Sequence, residues 1–282
     1  VSKVNNKNKK STHASLQPWS HWKDTSWWKE TVHSSGQRPF IRWTPAPSSS
    51  WPFMAACYKT AHPKSPLVVI TPGLKLQESM HQDLTTWLQW FSNQEDLSSF
   101  SQPYFYPAWE HLPHEAKLPH ADVISERLET LMALLRWQSD PENQAAPVIV
   151  TTIQALMQRT FEPDDLQGRV RTLKVGDIID PLDLVEWLED QAYEPEAKVT
   201  QKGEIALRGG ILDVFPLSSP WPVRLEFFGD ELESIRYFQP ESQLTRDRVE
   251  KIELTPGGEF GIIKQQIEKN EKAGNSMLIS FS

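Results

Sequence analysis

From Pro66 the apolar positions alternate between two rhythms. Leu67 to Thr71 is a short β-branched run; Leu74 to Phe91 then places Leu76, Met80, Leu84, Trp87, Leu88 and Phe91 at the spacing of one helix face. Pro103 to Pro107 reads as a second strand, and Asp122 to Trp137 as a helix through Val123, Ile124, Leu128, Leu131 and Leu135. Val148 to Thr151 reads as a third strand leading into a helix from Thr152. Strand and helix alternating three times predict a parallel α/β layer over residues 65–165. The rhythm changes near Leu166. Val170 to Val175 alternates, and Asp180-Pro181 supplies an N-cap and first-turn proline for a short helix carrying Leu182, Leu184, Val185 and Leu188. Strands are then expected at about 197–200, 205–207, 210–214, 223–228, 232–238 and 249–254. Residues 166–256 thus predict an α+β unit, one helix against a mostly antiparallel sheet, with 257–282 a short remainder.

Residues 223–228 put Val223, Leu225 and Phe227 on one strand face and Arg224, Glu226 and Phe228 on the other. A large aromatic beside two charged side chains is expected either at a surface that meets another protein or in a sheet buried on both faces. The charged residues also admit an internal arrangement, with Arg224 and Glu226 at i, i+2 and Arg208 reaching either across strands.

The net charge of −8 conceals an asymmetry: Lys and Arg against Asp and Glu number 10 to 2 in residues 1–64, 5 to 14 in 65–165 and 14 to 21 in 166–282. An acidic body repels phosphate, which argues against a nucleic-acid platform there. Residues 1–64 form a basic arm with six tryptophans and no sustained helix or strand period; it is expected to be irregular and packed on the body, and single-strand nucleic-acid binding through it is the competing reading. One cysteine, Cys57, leaves no internal disulfide and fits a reducing cytoplasm, and no apolar run reaches the roughly 20 residues of a membrane span.

Catalytic motifs are not found. A phosphate loop needs G-x-x-x-x-G-K-[ST], yet after the first strand the chain reads Thr71-Pro72-Gly73-Leu74-Lys75-Leu76 and no Gly-Lys pair occurs anywhere. Without that loop Asp230-Glu231 is expected to be a turn rather than a Mg²⁺ site. Glu110, His111, His114, Glu115 and His120 could ligate a metal by type, but Pro113 and Pro119 keep them off a common helix face, so no metal is expected. No G-x-S-x-G elbow is present, so no catalytic residue is assigned.

The order "RGGILDVFP", then "VRLEFFGDELESI", resembles the UvrA-binding module shared by UvrB and the bacterial transcription-repair coupling factors. "YFYPAWEHLPHEAKLPHADVISERLETL" (Tyr104 to Leu131) and "VIVTTIQALMQRT" (Val148 to Thr160) are similar to the coupling factors rather than to UvrB, and the likeness runs from about Pro66 to Phe260. The resemblance implies the amino-terminal UvrB-homology module: a degenerate, nucleotide-free RecA-like doubly wound domain with an inserted α+β domain, and 257–282 as the truncated start of a segment returning to the first domain. It places UvrA recognition on Arg208, Arg224, Glu226 and Phe228, and implies a non-catalytic recruiting role in transcription-coupled nucleotide excision repair. ATP and Mg²⁺, RNA polymerase and double-stranded DNA are then expected only for motor domains absent from this chain, with a carboxy-terminal part masking the UvrA face. A UvrB-like ATPase or helicase subunit is the alternative that the missing phosphate loop disfavours.

Overall fold

A computed structural model describes residues 24–26, 28–29, 46–95, 102–110, 120–258 and 262. The chain divides into a unit of residues 1–48 and one of 49–282. In the first, Trp28 is buried and Lys29 N donates to Thr25 O at 3.1 Å; Trp19, Trp22, Trp27 and Trp43 lie outside the described residues.

The second unit opens with a helix, α1 (Trp51–Ala61), which corrects the expectation that residues 1–64 are irregular throughout. Pro52 sits in its first turn, where a missing N–H costs nothing. Phe53 meets Trp87 and Phe91 of α2 (Leu74–Glu95), ring centroids 4.9 and 6.1 Å apart. At its C-terminal end Lys59, 2% exposed, donates to the carbonyls of Pro63, Ser65 and Ala146 at 2.9, 2.8 and 2.8 Å.

Strands β1 (Leu67–Thr71), β2 (Tyr104–Tyr106) and β3 (Val148–Thr152) form a parallel sheet in the order β1-β3-β2, as the alternating rhythm predicts. The central strand β3 is buried throughout, as strands covered on both faces must be. α2 is fixed to it by the buried Gln77, whose Nε2 donates to Tyr106 O and Val150 O, each at 3.0 Å. α3 (Ala121–Ser139) carries the fully buried Arg127, which donates to Pro107 O at 2.8 Å and the Tyr106 hydroxyl at 2.7 Å and lies over the Tyr106 and Trp109 rings. Two short helices, α4 (Ile153–Leu156) and α5 (Pro163–Gly168), follow β3.

β4 (Arg171–Lys174) leads to α6 (Pro181–Asp190), whose N-cap Asp180 accepts from Leu182 N at 2.7 Å as the sequence signals. Next come β5 (Glu194–Pro195), β6 (Glu204–Arg208), β7 (Ile211–Val214), β8 (Val223–Phe228), β9 (Glu231–Phe238) and β10 (Thr245–Val249), a sheet in the order β10-β9-β8-β7-β6-β5. Its pairings are antiparallel except β5 with β6. Leu184 and Leu188 of α6 pack on its inner face with Leu212, Leu225, Phe227 and Ile235. Two expectations are corrected. The strand expected at 197–200 is absent, β5 lying just upstream, although Val199 is buried in a cluster with Ala206, Phe215 and Phe238. The run 249–254 is not one strand: Val249 ends β10, whereas β11 (Lys251–Leu254) pairs with β4 in a separate antiparallel ladder.

α3 also meets the loops of the larger sheet. Ser125 Oγ donates to Leu217 O at 2.6 Å, and Lys202 Nζ donates to Ser125 Oγ at 2.6 Å and to Leu217 O at 3.1 Å; Arg136 pairs with Glu253 of β11. Burial, then Asp122 and Glu129, push the Glu126 carboxyl from 4.5 up to about 7, against the pull of Lys202. Between those values the folded chain holds a proton that the unfolded chain releases, so this group's contribution to stability falls as pH rises toward 7 and is gone above it. Glu126→Gln is therefore expected to raise the melting temperature more at pH 8 than at pH 5; an equal change at both would show that Glu126 titrates normally.

Candidate functional site

The outer face of the six-stranded sheet is ordered into cross-strand rows, because residues directly opposite in neighbouring strands share a face. Asp213, Arg224, Arg236 and Arg248 form the first row, from β7 to β10. Arg208, Ile211, Glu226 and Ser234 form the second. Beyond a bulge in the β8–β9 pairing, Phe228 opposes Glu231 in the third. Two tight turns keep this register. Gly209 (φ +60°) and Gly210 join β6 to β7, where a Cβ on Gly210 would come within 2.7 Å of Phe227 O. Gly229 (φ +61°) opens the two-residue turn into β9; Asp230 lies in that turn, as the sequence predicts, whereas Glu231 is already the first residue of β9 rather than part of the turn.

Asp213 organises the first row. Its side chain is 0% exposed; Oδ1 accepts from Arg224 Nε at 2.7 Å, and Oδ2 accepts from Arg224 at 2.8 Å and from Arg208 at 2.8 Å. Arg224 also donates to Gln243 Oε1 at 2.9 Å and lies over the Phe238 ring at 4.6 Å. Its hydrogen bonds to Asp213 raise its pKa above the ordinary guanidinium value, against the cost of burial. Arg208 stays 51% exposed while holding Oδ2. Glu226 pairs with Arg236 and accepts from Ser234 Oγ. Neither internal arrangement expected from sequence is the one formed: Arg224 and Glu226 turn to different partners, and Arg208 reaches Asp213 rather than either of them.

Four guanidinium groups thus face two carboxylates in the first two rows. Burial, then the charges of Arg248 and Arg224, press the Arg236 pKa below its ordinary value, and Arg236 Nε is buried with no hydrogen-bond partner among the described residues. Arg248 is exposed and has no ion-pair partner there. Phe228 is 76% exposed, which excludes a sheet buried on both faces at that position. The arrangement offers an aromatic anchor beside surplus fixed guanidinium groups. That suits a protein surface bearing carboxylates, since desolvated Arg–carboxylate pairs beside an aromatic make strong contacts. Asp213 and Arg236 were missed in the sequence; the available signal was a carboxylate at an outward position of the apolar strand "ILDV".

Among the described residues no three His, Cys, Asp or Glu side chains gather to hold a metal, and no helix is long and apolar enough to cross a membrane. His111, His114 and Glu115 of the histidine-rich loop lie outside those residues.

A family model described as the UvrB interaction domain matches residues 172–260, which contain every row of this face. The chain is 39% identical over 165 residues to the transcription-repair-coupling factor of Haemophilus influenzae, covering 58% of this chain and 14% of that protein. It is 34% identical over 203 residues to that of Escherichia coli (72% and 16%) and 31% identical over 209 residues to that of Staphylococcus aureus (74% and 16%). The matched region therefore spans between about one-seventh and one-sixth of the length of these curated relatives.

Proposed function

This chain is a homologue of the transcription-repair-coupling factors, matching one segment of them and carrying a UvrB interaction domain, and from that premise we propose that it is a non-catalytic module that recruits UvrA in transcription-coupled nucleotide excision repair. The observation that carries the reading is the coincidence of the matched domain with a surplus-arginine face ending in the exposed Phe228. Arg208 and Phe228 contact UvrA directly. Arg224 and Glu226, tied to Asp213 and Arg236, hold the face in shape and contribute less contact area. On this reading the β1-β3-β2 sheet with its helices is a degenerate RecA-like domain, which the lack of a G-x-x-x-x-G-K-[ST] loop after β1 supports. ATP-driven movement on DNA, the contact with RNA polymerase and the masking of the UvrA face belong to the parts of the longer relatives that this chain does not match.

Titration of this chain into purified UvrA without nucleotide is expected to give a micromolar or tighter Kd. Phe228→Ala and Arg208→Ala are each expected to weaken it about tenfold or more, with the melting curve in place for Phe228→Ala and only slightly shifted for Arg208→Ala. Absence of heat at micromolar concentration, with both proteins folded, would sink the reading. Arg224→Ala is a poorer reporter because it also strips the buried Asp213 of its two-point partner.

A further inference from the structure

We propose that Ile178, outside the residues assigned above, is a second apolar anchor for the same partner; the inference rests on the UvrA-recruiting reading. The segment after β4 does not leave the sheet at once. Gly176 N donates to Leu232 O at 2.8 Å, Leu232 N to Asp177 O at 2.9 Å and Ile179 N to Asp230 O at 2.7 Å, so residues 176–179 run as a short extra strand along the start of β9. Ile178 opposes Glu231 in this bridge, and Glu231 opposes Phe228 on its other side. Phe228, Glu231 and Ile178 therefore form one row on the outer face, the two apolar side chains about 10 Å apart at two strand spacings.

Ile178 is 72% exposed, whereas the next residue, Ile179, points the other way and packs on the core. The contrast is what a strand gives when one face is covered and the other is free. An exposed isoleucine in a hydrogen-bonded segment, in line with an exposed phenylalanine, gains nothing for the isolated fold. What covers the pair is set by charge. The neighbouring rows carry Arg208, Arg224, Arg236 and Arg248 against Asp213 and Glu226, with Arg248 unpaired among the described residues, so the complementary surface supplies carboxylates beside an apolar seat. The occupant is a UvrA surface of that chemistry, spanning both anchors and straddling Glu231.

The test is calorimetric titration of UvrA with the unaltered chain and with Ile178→Ala, Ile178→Asp and, as an exposed apolar control in the β9–β10 turn, Leu244→Ala. Ile178→Ala is expected to weaken binding about fivefold and Ile178→Asp more, since a carboxylate then faces the partner's own. Leu244→Ala should bind as the unaltered chain does, and all melting temperatures should agree. If the unaltered chain binds and both Ile178 variants bind equally well, the second anchor is wrong and the recruitment reading stands. If binding falls equally for Leu244→Ala, the effect is not specific to this row, and the anchor is likewise overturned. If the unaltered chain does not bind, the recruitment reading itself falls and takes the anchor with it.

Discussion

Asp213→Ala is expected to destabilise the fold by about 3–5 kcal/mol, the range for removing one member of a buried ion pair. The carboxylate has no exposed surface and makes three charge-assisted hydrogen bonds, two to Arg224 and one to Arg208. Without it Arg224 remains largely buried over Phe238, in line with Arg236 and Arg248, and no described carboxylate stands in that row to replace the one lost. Asp213→Asn keeps the shape and some of the hydrogen bonds, so a smaller loss is expected. Arg208→Ala should cost under about 1 kcal/mol, because half of that side chain is already in water. The ordering is read from urea midpoints at unchanged slope. If Asp213→Ala unfolds at the midpoint of the unaltered chain, the carboxylate does not hold this face together.

Lys59→Met is expected to cost about 1–3 kcal/mol, although nothing about a lysine near the end of a basic segment announces it. Burial pushes the Lys59 pKa down to about 8, so at neutral pH it is still an ammonium with three protons to donate. Three carbonyls take them, from the turn after α1, the approach to β1 and the approach to β3. Methionine preserves most of the stem's packing and abandons all three acceptors. Only the contact with Ala146 O is fully buried; Pro63 and Ser65 are exposed, so water can take over their carbonyls, and the loss is set mainly by one buried acceptor at about 1–3 kcal/mol. Thermal melts at pH 7 would show it, and a shift below a degree would mean that water replaces the ammonium freely.

How far the sequence shows this architecture depends on whether the deciding contact is local. α6 is legible because its cap, proline and leucine spacing lie within ten residues, and β8 because its alternation does. α1 is not: its buried positions are Pro52, Met54, Ala56, Cys57 and Lys59, in which Met54 is the one large apolar side chain and no apolar stripe is visible. The division of 249–254 is hidden for another reason. Val249 faces Ile235 while Lys251 faces Lys174, and which strand lies alongside is settled by residues distant in the chain. The site divides in the same way. Phe228 and the alternating charges of β8 stand out, and the family likeness selects Arg208, whereas the roles of Asp213 and Arg236 follow from hairpin register that residue types alone do not specify.

The β4–β11 ladder sets how the larger sheet is attached. Arg171 lies directly opposite Leu254, so the chain enters and leaves the entire α6-plus-sheet region through two neighbouring points, about 5 Å apart as paired strands are. Geometrically it is a cassette on a two-stranded stem: a scaffold needs only one adjacent pair of backbone attachment points to carry it, and can lose it without having to close a gap.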